Sequence, residues 1–149
     1  MQKKAVKSKR KTITGRMRAE ALTRNLNYWA AQLRLQSWDI TVEFLKWEKD
    51  NGFGDNSIDP HYETSHICLY DPETIPDDVK GVRDLEVTLV HELLHIRLVY
   101  VAKTSMKKKH KWPVEMAIET IAQSLVANRR GINIKDLKKL NNSSNILNR

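Results

Sequence analysis

The chain has 149 residues, 40% of them apolar and 30% charged, the make-up of one soluble globular domain with a core of its own. Its single cysteine, Cys68, excludes an intramolecular disulfide and a zinc site built of cysteines. The formal net charge is +8. No apolar run approaches the ~20 residues of a membrane span, and no apolar block follows the basic start as a signal peptide requires. The expected setting is therefore the cytoplasm (of the host, if a phage encodes the chain), with no membrane partner.

Charge divides the chain before structure does. Residues 1–18 carry eight Lys or Arg and no acid, which leaves 18 bases and 18 acids for the other 131 residues. Residues 37–92 hold 14 acids against 4 bases, and residues 93–149 hold 12 bases against 3 acids. Residues 1–15 read as a disordered basic arm, because like charges without an apolar face do not pack. The arm is either a solubilising segment or a non-specific contact for nucleic acid phosphates through Lys3, Lys4, Lys7, Lys9, Arg10 and Lys11. A single domain is expected over residues 16–140, and the Asn/Ser-rich residues 141–149 read as a flexible tail.

A first helix is predicted over residues 16–35, where Leu22, Leu26, Trp29, Ala30 and Leu33 recur on one face. Residues 38–45 alternate, with Trp38, Ile40, Val42 and Phe44 on one side, and read as a half-buried strand. Residues 49–60, with Asn51-Gly52, Gly54 and Pro60, read as a loop or hairpin connection. A second strand over 63–70 contains Ile67, Leu69 and Cys68, the last read as a small buried residue, and Asp71-Pro72 ends it. A polar linker with Pro72 and Pro76 leads to a helix over 83–102. A further helix opens at Pro113 and ends at Gly131, and a short one covers 134–140. Helix, strands, then helices make an α+β fold with a small antiparallel or mixed sheet.

Chemistry concentrates in the helix over 83–102, in His91-Glu92-Leu93-Leu94-His95. Residues i and i+4 of a helix lie on one face, so both imidazoles can aim at one ion. Glu92 then sits beside that ion without ligating it and can take a proton from its water. Leu85, Val87, Leu89, Val90, Leu93, Leu94, Ile96, Leu98, Val99 and Val101 surround this helix with apolar side chains, the pattern of a buried helix. Thr88, His91, Glu92 and His95 interrupt it within about 100° of arc. Buried polar groups need partners, and a metal supplies one for both imidazoles at once. A catalytic zinc ordinarily has three protein ligands. After Glu92 the chain has three acids, and two of them, Glu115 and Glu119, share one face of the helix that opens at Pro113. Trp112, just before that proline, reads as core.

His91-Glu92-x-x-His95 followed by Glu115-x-x-x-Glu119 resembles the gluzincin metallopeptidases, the thermolysin-like clan. The resemblance implies a zincin-like metallopeptidase domain that hydrolyses peptide bonds of a protein or peptide. It assigns Zn²⁺ to His91, His95 and Glu115, makes Glu92 the general base, and gives Glu119 the role of orienting His91, where the clan ordinarily has Asp. Trp38-Asp39-Ile40, Ile67-Cys68-Leu69, the His91–His95 stretch and the Glu115 helix are also similar to small phage and prokaryotic proteins with a His-Glu-Leu-Leu-His helix. Enzymes of this kind align substrate on an edge strand, which the resemblance places at residues 65–69. It also calls for an oxyanion-stabilising group, for which Tyr62, His66, Tyr70, Tyr100 and His110 are all conceivable.

Two other readings stand beside this one. The basic arm and the run at residues 107–111 suit a nucleic-acid-associated protein whose zinc site is structural or degenerate. The two ideas combine in SprT-like proteases, which act on DNA-bound proteins but take a third His as ligand; His110 is the only later one here. A partner-binding protein that keeps the fold without catalysis is the third reading.

Overall fold

The computed structural model describes residues 15–49, 51–105 and 111–140. The arm bases Lys3, Lys4, Lys7, Lys9, Arg10 and Lys11, the run at 107–110 with His110, and the tail at 141–149 lie outside the described residues.

The fold is α+β: helix α1 (Gly15–Gln32), strands β1 (Asp39–Leu45), β2 (Gly54–Asp59) and β3 (Thr64–Tyr70), then helices α2 (Leu85–Ser105), α3 (Lys111–Arg130) and α4 (Ile134–Leu140). The apolar stripe of α1 packs as its spacing predicts, with Trp29 buried and Leu22, Leu26 and Ala30 against the core. The sheet is mixed, in the order β1-β3-β2, with β3 parallel to β1 and antiparallel to β2. Asp59 Oδ1 accepts the His61 amide at 3.0 Å and so shapes the turn between β2 and β3.

Alternation on β3 assigns its faces. Ile67 and Leu69 are fully buried toward the helices, while His66 is exposed and Cys68 half-buried on the other side. Cys68 is thus not the buried strand residue expected. Helix α2 lies at the centre, with Val87, Leu89, Val90, Leu93 and Ile96 all at or below 1% exposure. Covering it from several sides are β3, β2, α1 and α3, as a helix apolar all round demands.

Helix ends follow local chemistry. Asp84 caps α2, its Oδ1 accepting the amides of Glu86 and Val87. At the end of α3, Gly131 takes φ 65°, and the Ile132 amide reaches back to the Ala127 carbonyl at 3.0 Å. Asn133 caps α4 through its Oδ1 and the Asp136 amide. Three expectations need correction. Residues 49–60 contain a strand, β2, and not only a connection. Trp112 is 72% exposed rather than core: in the first turn of α3 it is Val114 that packs against the core, and Trp112 lies off that face. Residues 65–69 form the central strand, whose two edges are both paired, so they cannot accept a substrate strand.

Candidate metal centre

The polar stripe of α2 opens onto a cleft of about 510 Å³ lined by Thr88, His91, Glu92 and His95, by Glu115 and Glu119 of α3, and by β2 residues. Packing of α2 against α3 sets the two acids opposite the two imidazoles. The structure therefore brings together all five residues singled out around the His91–His95 motif.

Their atoms form a small triangle. His91 Nε2 and His95 Nε2 are 3.1 Å apart, and Glu115 Oε2 lies 3.4 Å from each. A tetrahedral ion with bonds of about 2.0–2.2 Å holds its ligand atoms roughly 3.3–3.6 Å apart. The two edges to Glu115 fall in that range and the edge between the imidazoles is about 0.2 Å shorter, so this donor set could hold a metal ion, with His91, His95 and Glu115 as its ligands. Behind it, His91 Nδ1 donates to Glu119 Oε2 at 2.9 Å. A carboxylate only accepts, so this bond keeps the proton of the neutral ring on Nδ1 and leaves the Nε2 lone pair facing the triangle. Glu119 is held in turn by Gln123, whose Nε2 donates to Oε1 at 2.6 Å.

Burial and charge act against each other here. Burial drives the Glu92 carboxyl up to about 7; the nearby His91 opposes this, and Asp55, Glu115 and Glu119 add to it. Burial pulls the His91 imidazole down, but its bond to Glu119 and the charges of Glu92, Glu119 and Glu115 outweigh this and hold it above its ordinary value. His95 falls below its ordinary value through burial, reinforced by His91 and Lys111 against the pull of Glu115. Burial raises the Glu119 carboxyl, yet its hydrogen bonds to His91 and Gln123 leave it below the usual range.

The far wall of the cleft is the strand that the sequence concealed. Gly54 lets β2 approach the general-base candidate: a Cβ there would stand 2.8 Å from Thr88 Cγ2 and 2.9 Å from Glu92 Oε1. Asn56 ties β2 to α2, its Nδ2 donating to the Glu92 carbonyl at 2.9 Å while its Oδ1 accepts from Ser65 Oγ. The turn-rich composition of this stretch hid both residues; only its place between two strands hinted at a hairpin arm. Gly54→Ala is expected to cost about 1–3 kcal/mol and to displace the Glu92 carboxylate. Denaturation measures the first effect, and a crystal structure of the variant shows the second.

Of the oxyanion candidates, Tyr62, His66, Tyr70 and Tyr100 do not line this cleft. Tyr62 and Tyr100 line a separate shallow pocket with Pro60, His61 and Glu63, and His66 faces outward from the sheet. No helix of the described residues is long and apolar enough to cross a membrane. The chain matches no protein-family model, no curated protein and no solved structure, so the geometry of the site itself carries the functional reading.

Proposed function

We propose that the chain is a zinc-dependent metallopeptidase. One observation carries this reading: Nε2 of His91, Nε2 of His95 and Oε2 of Glu115 stand 3.1–3.4 Å apart, close to the spacing of ligands on one tetrahedral ion, in a cleft that also holds the buried Glu92 carboxyl. Zinc, when bound, acidifies a water and polarises the scissile carbonyl. Glu92 takes the proton of the attacking water on a carboxylate oxygen and passes it to the leaving amine as the C–N bond breaks. Glu119 holds the His91 ring through Nδ1. The outer edge of β2, unpaired among the described residues, borders the cleft and can align an extended substrate backbone.

The test is hydrolysis of a dye-labelled casein by the zinc-loaded chain. Turnover should vanish with chelator and return with zinc. Turnover that survives chelation would end the reading. Glu119→Ala is expected to weaken zinc affinity roughly 10–100-fold without abolishing binding. A competition titration with a chromophoric chelator measures that change.

A further inference from the structure

The other face of the sheet carries a second set of donors. Register places Glu43 of β1 and Asp55 of β2 on either side of Cys68 of β3, and Thr41 and Ser57 on either side of His66. Ile67 and Leu69 occupy the buried face of β3, so His66 and Cys68 point away from the helices. A carboxylate oxygen of Glu43, a ring nitrogen of His66 and Sγ of Cys68 all lie within 4.8 Å of one another. Glu43 Oε2 is 3.3 Å from His66 Nε2, the spacing of two ligands on one tetrahedral ion. The ring is held from behind: His66 Nδ1 and Thr41 Oγ1 are 2.8 Å apart, which leaves Nε2 for the ion.

We propose that Glu43, His66 and Cys68 form a second metal site, on the solvent face of the sheet, for a thiophilic divalent ion such as zinc. Thiolate, imidazole and carboxylate together favour zinc or cobalt over magnesium or calcium, which take oxygen ligands. Asp55 is the register partner of Cys68 on β2 and adds negative charge on that side of the strand. The donors sit on paired strands rather than loops, so little chain ordering accompanies binding. The ion would cross-link β1 to β3. Because this site lies on the opposite face of the sheet from α2, it stands or falls independently of the peptidase reading.

Cobalt separates the two sites. Cys68 is the only cysteine, so a thiolate-to-cobalt charge-transfer band in the near ultraviolet reports this site alone. Titrating the full chain with Co²⁺ should produce that band, saturating at about one equivalent into this site. The band should persist in Glu115→Ala and be lost in His66→Ala and weakened in Glu43→Gln. Zinc at about ten times its dissociation constant should slow alkylation of Cys68 roughly tenfold in the unmodified chain, and not in His66→Ala. Absence of the band, its full retention in His66→Ala, or its loss in Glu115→Ala would overturn the proposal.

Discussion

Replacing Glu92 with glutamine is expected to stabilise the metal-free chain by about 3 kcal/mol at about pH 8, and to leave its stability nearly unchanged at about pH 4. Burial lifts the Glu92 carboxyl from 4.5 to about 7. Between those values the folded chain keeps a proton that the unfolded chain has released, so stability falls as pH rises through the window. Its contribution is complete below 4.5 and lost above 7. Glutamine removes the titration and stays neutral throughout. Denaturant midpoints measured in chelator across this range would check it; a pH-independent difference between the two chains would contradict it. With zinc loaded, the same substitution should keep the metal and lower peptide hydrolysis roughly 10²–10⁴-fold, the usual share of a general base. Retained turnover would remove Glu92 from that role. Under the proposed function, Glu92 would destabilise the empty fold while serving turnover, the trade-off expected of a catalytic group.

The second large effect lies outside the cleft. Arg130, at the end of α3, pairs with both Asp84 and Glu86 at the start of α2, with Nη2 to Glu86 Oε2 at 2.7 Å and to Asp84 Oδ1 at 3.0 Å. The Asp84 side chain is fully buried. Glu86 also accepts from Trp29 Nε1 at 2.8 Å and pairs with Arg129, so α1, α2 and α3 meet at one ionic cluster. Arg130→Ala leaves two buried carboxylates without their main cation and should cost about 3–5 kcal/mol, much of the stability of a domain this size. Arg130→Lys should recover only part, since an ammonium cannot serve two carboxylates with a planar fork. Urea unfolding of the three chains measures this. A loss below about 1 kcal/mol in Arg130→Ala would show that the cluster is solvated enough to be dispensable.

What could be read from the sequence divides along physical lines. Spacing within one helix is local, so the shared face of His91 and His95, and that of Glu115 and Glu119, were legible. So was the burial of α2, whose apolar residues leave no solvent face. That α3 would set its acids against the imidazoles of α2 needed the tertiary packing; the scarcity of acids after Glu92 pointed to Glu115 and Glu119, and their separate roles came only through a resemblance. β2 was hidden because Gly-Asp-Asn-Ser-Ile-Asp has weak strand propensity of its own; pairing with β3 and the close approach at Gly54 make it a strand. The ion cluster joins residues more than forty positions apart, and no local pattern announces it. Trp112 shows the converse error: size and hydrophobicity suggest core, but its place in the first turn of α3 leaves it exposed. For Cys68, the alternation set by Ile67 and Leu69 was the better guide than the usual burial of cysteine.

The most direct test of the metal centre is zinc content by native mass spectrometry in a Cys68→Ser background, which removes the thiol of the second site. The parent chain, Glu115→Ala and Glu119→Ala would be compared after loading and desalting. About one zinc per chain is expected in the parent, with its loss in Glu115→Ala and retention of most of it in Glu119→Ala. A parent that holds no zinc, or a Glu115→Ala chain that binds it as well as the parent, would contradict the assignment of His91, His95 and Glu115 as the ligand set.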